Sequence, residues 1–197
     1  MLGWSLGVNV AFELALEDPA RVHGVLAVAG IPGGSYSSMF GTYGVPRRMR
    51  RVMGRLGTRL LPMVGPLLPL LVASLPPRRD LSSPAAVRGP AREVTHPSAL
   101  RAVLHEFAHH DWQWYRHLSL ALADHVPLDV STVSCPVTFL AGRYDSLVDV
   151  ADVRAAARNV PGARLRVLAG THFLPLQYPE VILEELCRIS GNSPGSG

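Results

Sequence analysis

Gly3-Trp4-Ser5-Leu6-Gly7 constrains this chain more than any other stretch. It fits G-x-S-x-G, the elbow by which a strand turns sharply into a helix with a serine at the tip. Glycine suits both flanking positions, because a side chain at either is expected to crowd the backbone where helix closes on strand. The hydroxyl of Ser5 is then held out from the turn, as nucleophilic chemistry requires. Such an elbow needs a strand ahead of it, and only Met1 and Leu2 precede Gly3. The motif is short and built of common residues, so its surroundings decide its weight.

Those surroundings fit. Val8 to Glu17 reads as a helix, with apolar residues at Val8, Ala11, Phe12, Ala15 and Leu16. Asp18-Pro19 stops it. Val22 to Ala29 is a short apolar run rich in β-branched residues, bounded by Gly30, Pro32, Gly33 and Gly34. That pattern predicts a buried parallel strand. Elbow, helix, strand and loop then follow in the order of a doubly wound sheet.

Two further polar residues close later strands. Pro136 to Ala141 predicts a strand that ends in Gly142-Arg143-Tyr144-Asp145, and Leu165 to Leu168 one that ends in Gly170-Thr171-His172. Val150 to Asn159 predicts the crossover helix between them, with Pro161-Gly162 turning the chain back. Open α/β sheets place their sites at the carboxyl ends of strands. Asp149 is the competing carboxylate, and Asp152 suits the first turn of the crossover helix, where negative charge is favoured.

With these motifs in the order serine, acid, histidine, the sequence resembles the C-terminal part of an α/β-hydrolase-fold protein of the esterase, lipase and carbon–carbon hydrolase type. The resemblance rests on Gly3-Trp4-Ser5-Leu6-Gly7, on Cys135-Pro136-Val137 leading to Gly142-Arg143-Tyr144-Asp145, and on Gly170-Thr171-His172-Phe173. It implies an α/β fold with a mostly parallel sheet and an inserted helical cap. It implies Ser5, Asp145 and His172 as a catalytic triad, the backbone N–H of Leu6 as an oxyanion-hole donor, and Trp4 and Phe173 beside the substrate. Residues 1–31 would hold the elbow, its helix and the next strand. Residues 32–112 would form the cap, 113–190 the C-terminal core with acid and histidine, and 191–197 a disordered tail. The implied reaction is hydrolysis of an ester-like bond (carboxylic ester, thioester or C–C) in a lipophilic small molecule. A serine nucleophile disfavours the dehalogenases and epoxide hydrolases of this fold, which use aspartate. Val8 departs from the family, whose members often carry a further glycine there.

The family places several strands and a second oxyanion donor ahead of the elbow. The resemblance therefore also implies an N-terminally truncated form, poorly folded or dependent on another chain. A catalytically inactive fragment, or an interaction protein, is the alternative from a different class.

Composition agrees with a globular protein. The chain has 197 residues, 48% hydrophobic and 17% charged, enough for one core and too apolar for disorder. Its formal charge of +4 rests on 19 arginines and no lysine, which reads as codon bias and not as a nucleic-acid footprint. Two cysteines, Cys135 and Cys187, give no disulfide framework and suit a reducing, cytoplasmic setting. No cofactor motif occurs.

The middle, from Ile31 to Ala123, lies outside the strand pattern. It holds a basic segment with Arg47, Arg48, Arg50, Arg51, Arg55 and Arg59, then an apolar run from Leu60 to Leu75 broken by Pro62, Gly65, Pro66 and Pro69. The prolines exclude a transmembrane span. The run reads as cap core, with contact to a membrane surface as the lesser reading. Pro97 to Leu122 reads as helical and contains His105-Glu106-Phe107-Ala108-His109, a match to the zinc motif H-E-x-x-H. The glycine and third histidine of the longer zinc signature are missing, so a zinc metalloprotease stays a minor alternative and no metal is expected.

Overall fold

The computed structural model describes residues 1–73 and 91–191. Four strands form one sheet: β1 (Leu2–Trp4), β2 (Val25–Val28), β3 (Val137–Gly142) and β4 (Arg164–Leu168). They lie side by side in chain order, and every pair is parallel. Parallel strands are joined by crossovers that cover both faces, so their interior strands can be apolar throughout. All residues of β2 and β3 are buried accordingly. β4 is only partly buried, and its Arg164 is exposed.

Alternation along the strands sorts the core into two layers. Val25 and Ala27 of β2 join Val137, Phe139 and Ala141 of β3 on one face. There they meet Val8, Ala11, Phe12 and Ala15 of α1 (Gly7–Glu17), and Val153 of α7 (Val150–Asn159). Phe12 and Phe139 stack with ring centroids 5.6 Å apart, and both are fully buried. Leu26, Val28 and Leu140 point to the other face. They pack on Leu174 of α8 (Leu174–Gln177) and on Val181 and Ile182 of α9 (Pro179–Ile189). Burying each such side chain is worth about 1.5–3 kcal/mol.

The strand expected over Val22 to Ala29 is shorter, because Ala29 turns to φ 47° and leaves the extended region. Val22 still reaches the core. Next to α9, the fully buried Glu185 is answered by Arg166 at 2.9 Å, Arg188 at 2.8 Å and Arg164 at 3.2 Å. Burial pushes its carboxyl up, but the hydrogen bonds from Arg188 and Arg166 and the nearby guanidinium charges outweigh that. They hold it below the ordinary range.

Between β2 and β3 the described chain is helical. It runs through α2 (Ser35–Ser38), a 3₁₀ turn (Gly41–Tyr43), α3 (Arg47–Val64), a second 3₁₀ turn (Gly65–Leu67) and α4 (Leu68–Ala73). Later come α5 (Pro97–Ala108) and α6 (Trp112–Asp124). The single helical region expected over Pro97 to Leu122 is thus two helices. The carboxylate of Asp111 accepts from the N–H groups of Gln113 and Trp114, and so caps a new start. α6 packs along α3 and α2. α3 itself runs through Pro62, where a break was expected, and ends two residues later.

The run from Leu60 to Leu70 does not form the apolar core expected of it. Leu60, Met63, Leu67 and Leu70 are exposed, and the inward face of α3 carries Arg50, Gly54 and Thr58 instead. Residues 74–75 of that run, and 192–197 of the expected disordered tail, lie outside the described residues. Among the described residues no helix is long and apolar enough to cross a membrane.

Candidate active site

The carboxyl ends of β1 and β3 and the turn after β4 converge at one end of the sheet. Ser5 follows β1 with φ 55°, a left-handed conformation that a non-glycine residue adopts only when its surroundings enforce it. Two contacts enforce it here. The Ser5 N–H donates to the carbonyl of Val28 at 2.9 Å, and the Ser5 carbonyl accepts from the N–H of Val8 at 3.1 Å as α1 begins.

The glycines divide differently from the sequence expectation. At Gly3 a Cβ would stand 2.5 Å from the Gly7 carbonyl oxygen and 2.8 Å from the Val8 Cα, so glycine is required there. At Gly7 a Cβ would meet nothing within 4 Å, so that half of the expectation fails. The crowding falls instead on Gly30, whose Cβ would lie 2.6 Å from the Ser5 carbonyl oxygen and 2.5 Å from Val8 Cγ2. Val8 packs against this glycine.

Asp145, His172 and Ser5 form one hydrogen-bonded line. His172 Nδ1 donates to Asp145 Oδ2 at 2.9 Å, and Ser5 Oγ donates to His172 Nε2 at 2.9 Å. A carboxylate can only accept, so Nδ1 carries the proton and Nε2 is left as the acceptor. Asp145 is buried to 1% exposure, and His172 is buried as well. The other oxygen of Asp145 accepts from the N–H groups of Leu147 at 2.8 Å and Val148 at 3.0 Å, which fixes the carboxylate in its turn.

The strand ends themselves are locked together. Tyr144 N–H donates to the carbonyl of Gly170 at 2.9 Å. A Cβ at Gly142 would lie 2.3 Å from the Thr171 carbonyl oxygen, so the acid-bearing and histidine-bearing turns touch backbone to backbone. The histidine turn is held from below by Gln177, whose side-chain oxygen accepts from Thr171 N–H at 2.8 Å.

Trp4 and Phe173 flank this line. Their rings meet edge to face at 5.8 Å, and both are half-buried. Trp4 also does something the sequence did not suggest: its indole N–H donates to the carbonyl of His172 at 2.9 Å. The residue beside the serine thereby ties the histidine turn to β1. The N–H of Leu6 makes no hydrogen bond among the described residues.

Asp149 stands apart. It caps α7, accepting from Ala151 N–H at 2.9 Å, and its carboxylate lies 3.6 Å from Arg50. Asp152, in the first turn of α7, pairs with Arg50 at 3.4 Å and with Arg47. His105, Glu106 and His109 lie on the exposed last turn of α5 and just past it. His109 Nδ1 is engaged with the His105 carbonyl. Among the described residues no three histidine, cysteine, aspartate or glutamate side chains converge as metal ligands would.

No protein-family model and no curated protein sequence matches the chain. Solved structures do. A thermophilic esterase from Thermogutta terrifontis aligns over 95% of this chain and 64% of its own, with TM-score 0.66 and 18% identity. An enol-lactonase from Burkholderia xenovorans aligns over 97% and 65%, with TM-score 0.65 and 18% identity. An esterase from Exiguobacterium antarcticum aligns over 96% and 65%, with TM-score 0.63 and 16% identity. The chain therefore carries an α/β-hydrolase fold in part, spanning about two thirds of the length of these structures. At such identity the likeness speaks for the fold, and any chemistry has to be argued from the residues.

Proposed function

We propose that Ser5, His172 and Asp145 are the catalytic triad of a serine hydrolase that cleaves an ester-like bond. The observation that carries this reading is the line of two 2.9 Å hydrogen bonds from Ser5 Oγ through His172 to a buried Asp145. Its chemistry follows from the tautomer. Ser5 Oγ attacks a carbonyl carbon and its proton passes to His172 Nε2. Asp145 orients the ring and stabilises the imidazolium. The N–H of Leu6 donates to the oxyanion as one member of the hole. The imidazolium then protonates the leaving group, and the acyl-Ser5 ester remains. A water that gives its proton to His172 attacks that ester, releases the acid and restores Ser5.

The flanking rings support the reading of the substrate class. Trp4 and Phe173 offer an apolar edge beside Ser5, which suits a lipophilic acyl or ring substituent. Carboxylic esters, thioesters and activated C–C bonds share the required carbonyl. The esterases and the enol-lactonase among the structural neighbours support an acyl carbonyl as the target. No step needs a cofactor.

The test is active-site labelling with a fluorophosphonate, located by peptide mass. The expected adduct is on Ser5 and on no other serine, and Ser5→Ala abolishes it while the melt stays cooperative. Labelling that persists in Ser5→Ala overturns the reading.

A further inference from the structure

Asp145 is held from two sides. From the core, its turn is tied to Gly170 and its carboxylate to Leu147 and Val148. From the helical segment between β2 and β3, a second set of contacts grips the same turn about a hundred residues away in sequence. Thr42 Oγ1 donates to the Asp145 carbonyl at 2.6 Å. Phe40 N–H donates to the Ser146 carbonyl at 2.8 Å, and Tyr43 Oη lies 2.7 Å from Ser146 Oγ. Asp149 N–H donates to Ser38 Oγ at 2.8 Å.

Arg50 of α3 completes this grip. Its guanidinium lies between two carboxylates, Asp149 at 3.6 Å and Asp152 at 3.4 Å, and also donates to the Ser37 carbonyl at 3.2 Å. All three charged side chains are largely shielded, at 11%, 17% and 9% exposure. Packing there is tight, since a Cβ at Gly41 would lie 2.6 Å from Asp149 Cβ. Among the described residues Arg47 is the only other cation paired with Asp152, and Asp149 is the carboxylate beside it. Without Arg50 two shielded carboxylates would face each other across the start of α7 with one exposed arginine to answer them. The segment that would move in response is the one that carries Asp145.

We infer that Arg50 and Thr42 are positioning residues for Asp145, so that the helical segment between β2 and β3 sets the alignment of the acid with His172. This inference rests on the proposed triad, and it goes beyond it by giving a non-contacting element control over the reaction. Neither residue touches the reacting atoms. Each acts through the Asp145 turn, Thr42 on the backbone of Asp145 itself and Arg50 on the helix start that follows it.

The experiment measures fluorophosphonate labelling of the full chain, resolved into the inactivation rate at saturation and the half-saturating concentration. Beside it runs the downfield proton NMR signal of His172 Nδ1–H. Arg50→Gln is expected to lower the saturating rate about a hundredfold, the size of effect that small misplacement of a reacting group produces, with half-saturation unchanged. The Nδ1–H signal should broaden or vanish. Arg50→Lys restores the charge without the planar fork and is expected to recover part of the rate. Thr42→Val, which removes one exposed hydroxyl, is expected to cost about tenfold.

An unchanged saturating rate and a retained signal in folded Arg50→Gln overturn the inference. If that variant fails to fold, Thr42→Val decides, and a parental rate there overturns it equally. Ser5→Ala is run in parallel. If labelling survives Ser5→Ala, the triad reading fails, whereas the His172 signal still reports whether Arg50 aligns Asp145.

Discussion

The sheet and helix α3 are held by different physics. In the sheet, β2 is wholly apolar and every one of its four residues is shut from water. In α3 the apolar residues are the outer ones: Met49, Val52, Leu56 and Met63 are all more than half exposed. What faces inward from α3 is polar or small. Arg50 meets Asp149 and Asp152, Gly54 fits against the ring of Tyr36, and Thr58 bonds the Tyr36 hydroxyl. The contrast teaches that the sheet derives its stability from apolar area and α3 its placement from directional contacts. Apolar burial is large and forgiving in angle. Hydrogen bonds and ion pairs are individually small but fix geometry, which is what holds the turn that carries Asp145.

The sharpest way to break this comparison is to truncate one residue in each region. Phe139→Ala removes a fully buried ring stacked on Phe12, and is expected to cost about 3–5 kcal/mol of unfolding free energy. Met63→Ala, at a position 75% exposed, is expected to stay within about 0.5 kcal/mol. Chemical denaturation of the two variants checks both figures. Comparable losses would mean that the outer face of α3 is buried in solution and that the contrast is false.

A smaller effect sharpens the boundary of the sheet region. Glu185 is buried among three arginines, and its carboxyl is held below its ordinary value of 4.5. A depressed carboxylate contributes stability that is present above the unfolded value and is lost as pH falls through the folded one. The melting temperature should therefore drop in acid below about pH 4.5, and part of that drop should be absent in Glu185→Gln. Identical acid limbs for the two proteins would place the carboxylate's contribution elsewhere.

Much of the sheet region was legible in the sequence, and little of the helical segment was. Parallel strands leave a local signature, so β3 and β4 were readable to within a residue at their starts. The crossover helix Val150–Asn159 matches its expected bounds, and Asp149, read in the sequence only as a competing carboxylate, caps it. The strand-to-helix turn at Ser5 was legible through Gly3, but Gly7 was misread. Whether a glycine is needed depends on which backbone approaches it, and that was Gly30 and Gly142, each meeting a segment distant in the chain. Ser5 could be nominated from the Gly3–Gly7 motif, and Asp145 and His172 from the ends of expected strands. The Trp4 bond to His172 and the Arg50 cluster could not, because they join residues 168 and about a hundred positions apart and follow no spacing rule. The broken helix at His109 to Asp111 lay within reach, since Asp111 offers a cap that the periodic reading overran.

The central claim is that Asp145, and not its neighbour Asp149, orients His172. The most direct measurement compares the saturating fluorophosphonate labelling rate of Asp145→Asn with that of Asp149→Asn, both confirmed as folded. In the triad reading Asp145→Asn loses about 10⁴ in rate, because an amide at that position favours the wrong imidazole tautomer. Asp149 caps α7 and touches Arg50, so Asp149→Asn keeps a capping side chain and should lose far less. A larger loss in Asp149→Asn, or a parental rate in Asp145→Asn, would contradict the account.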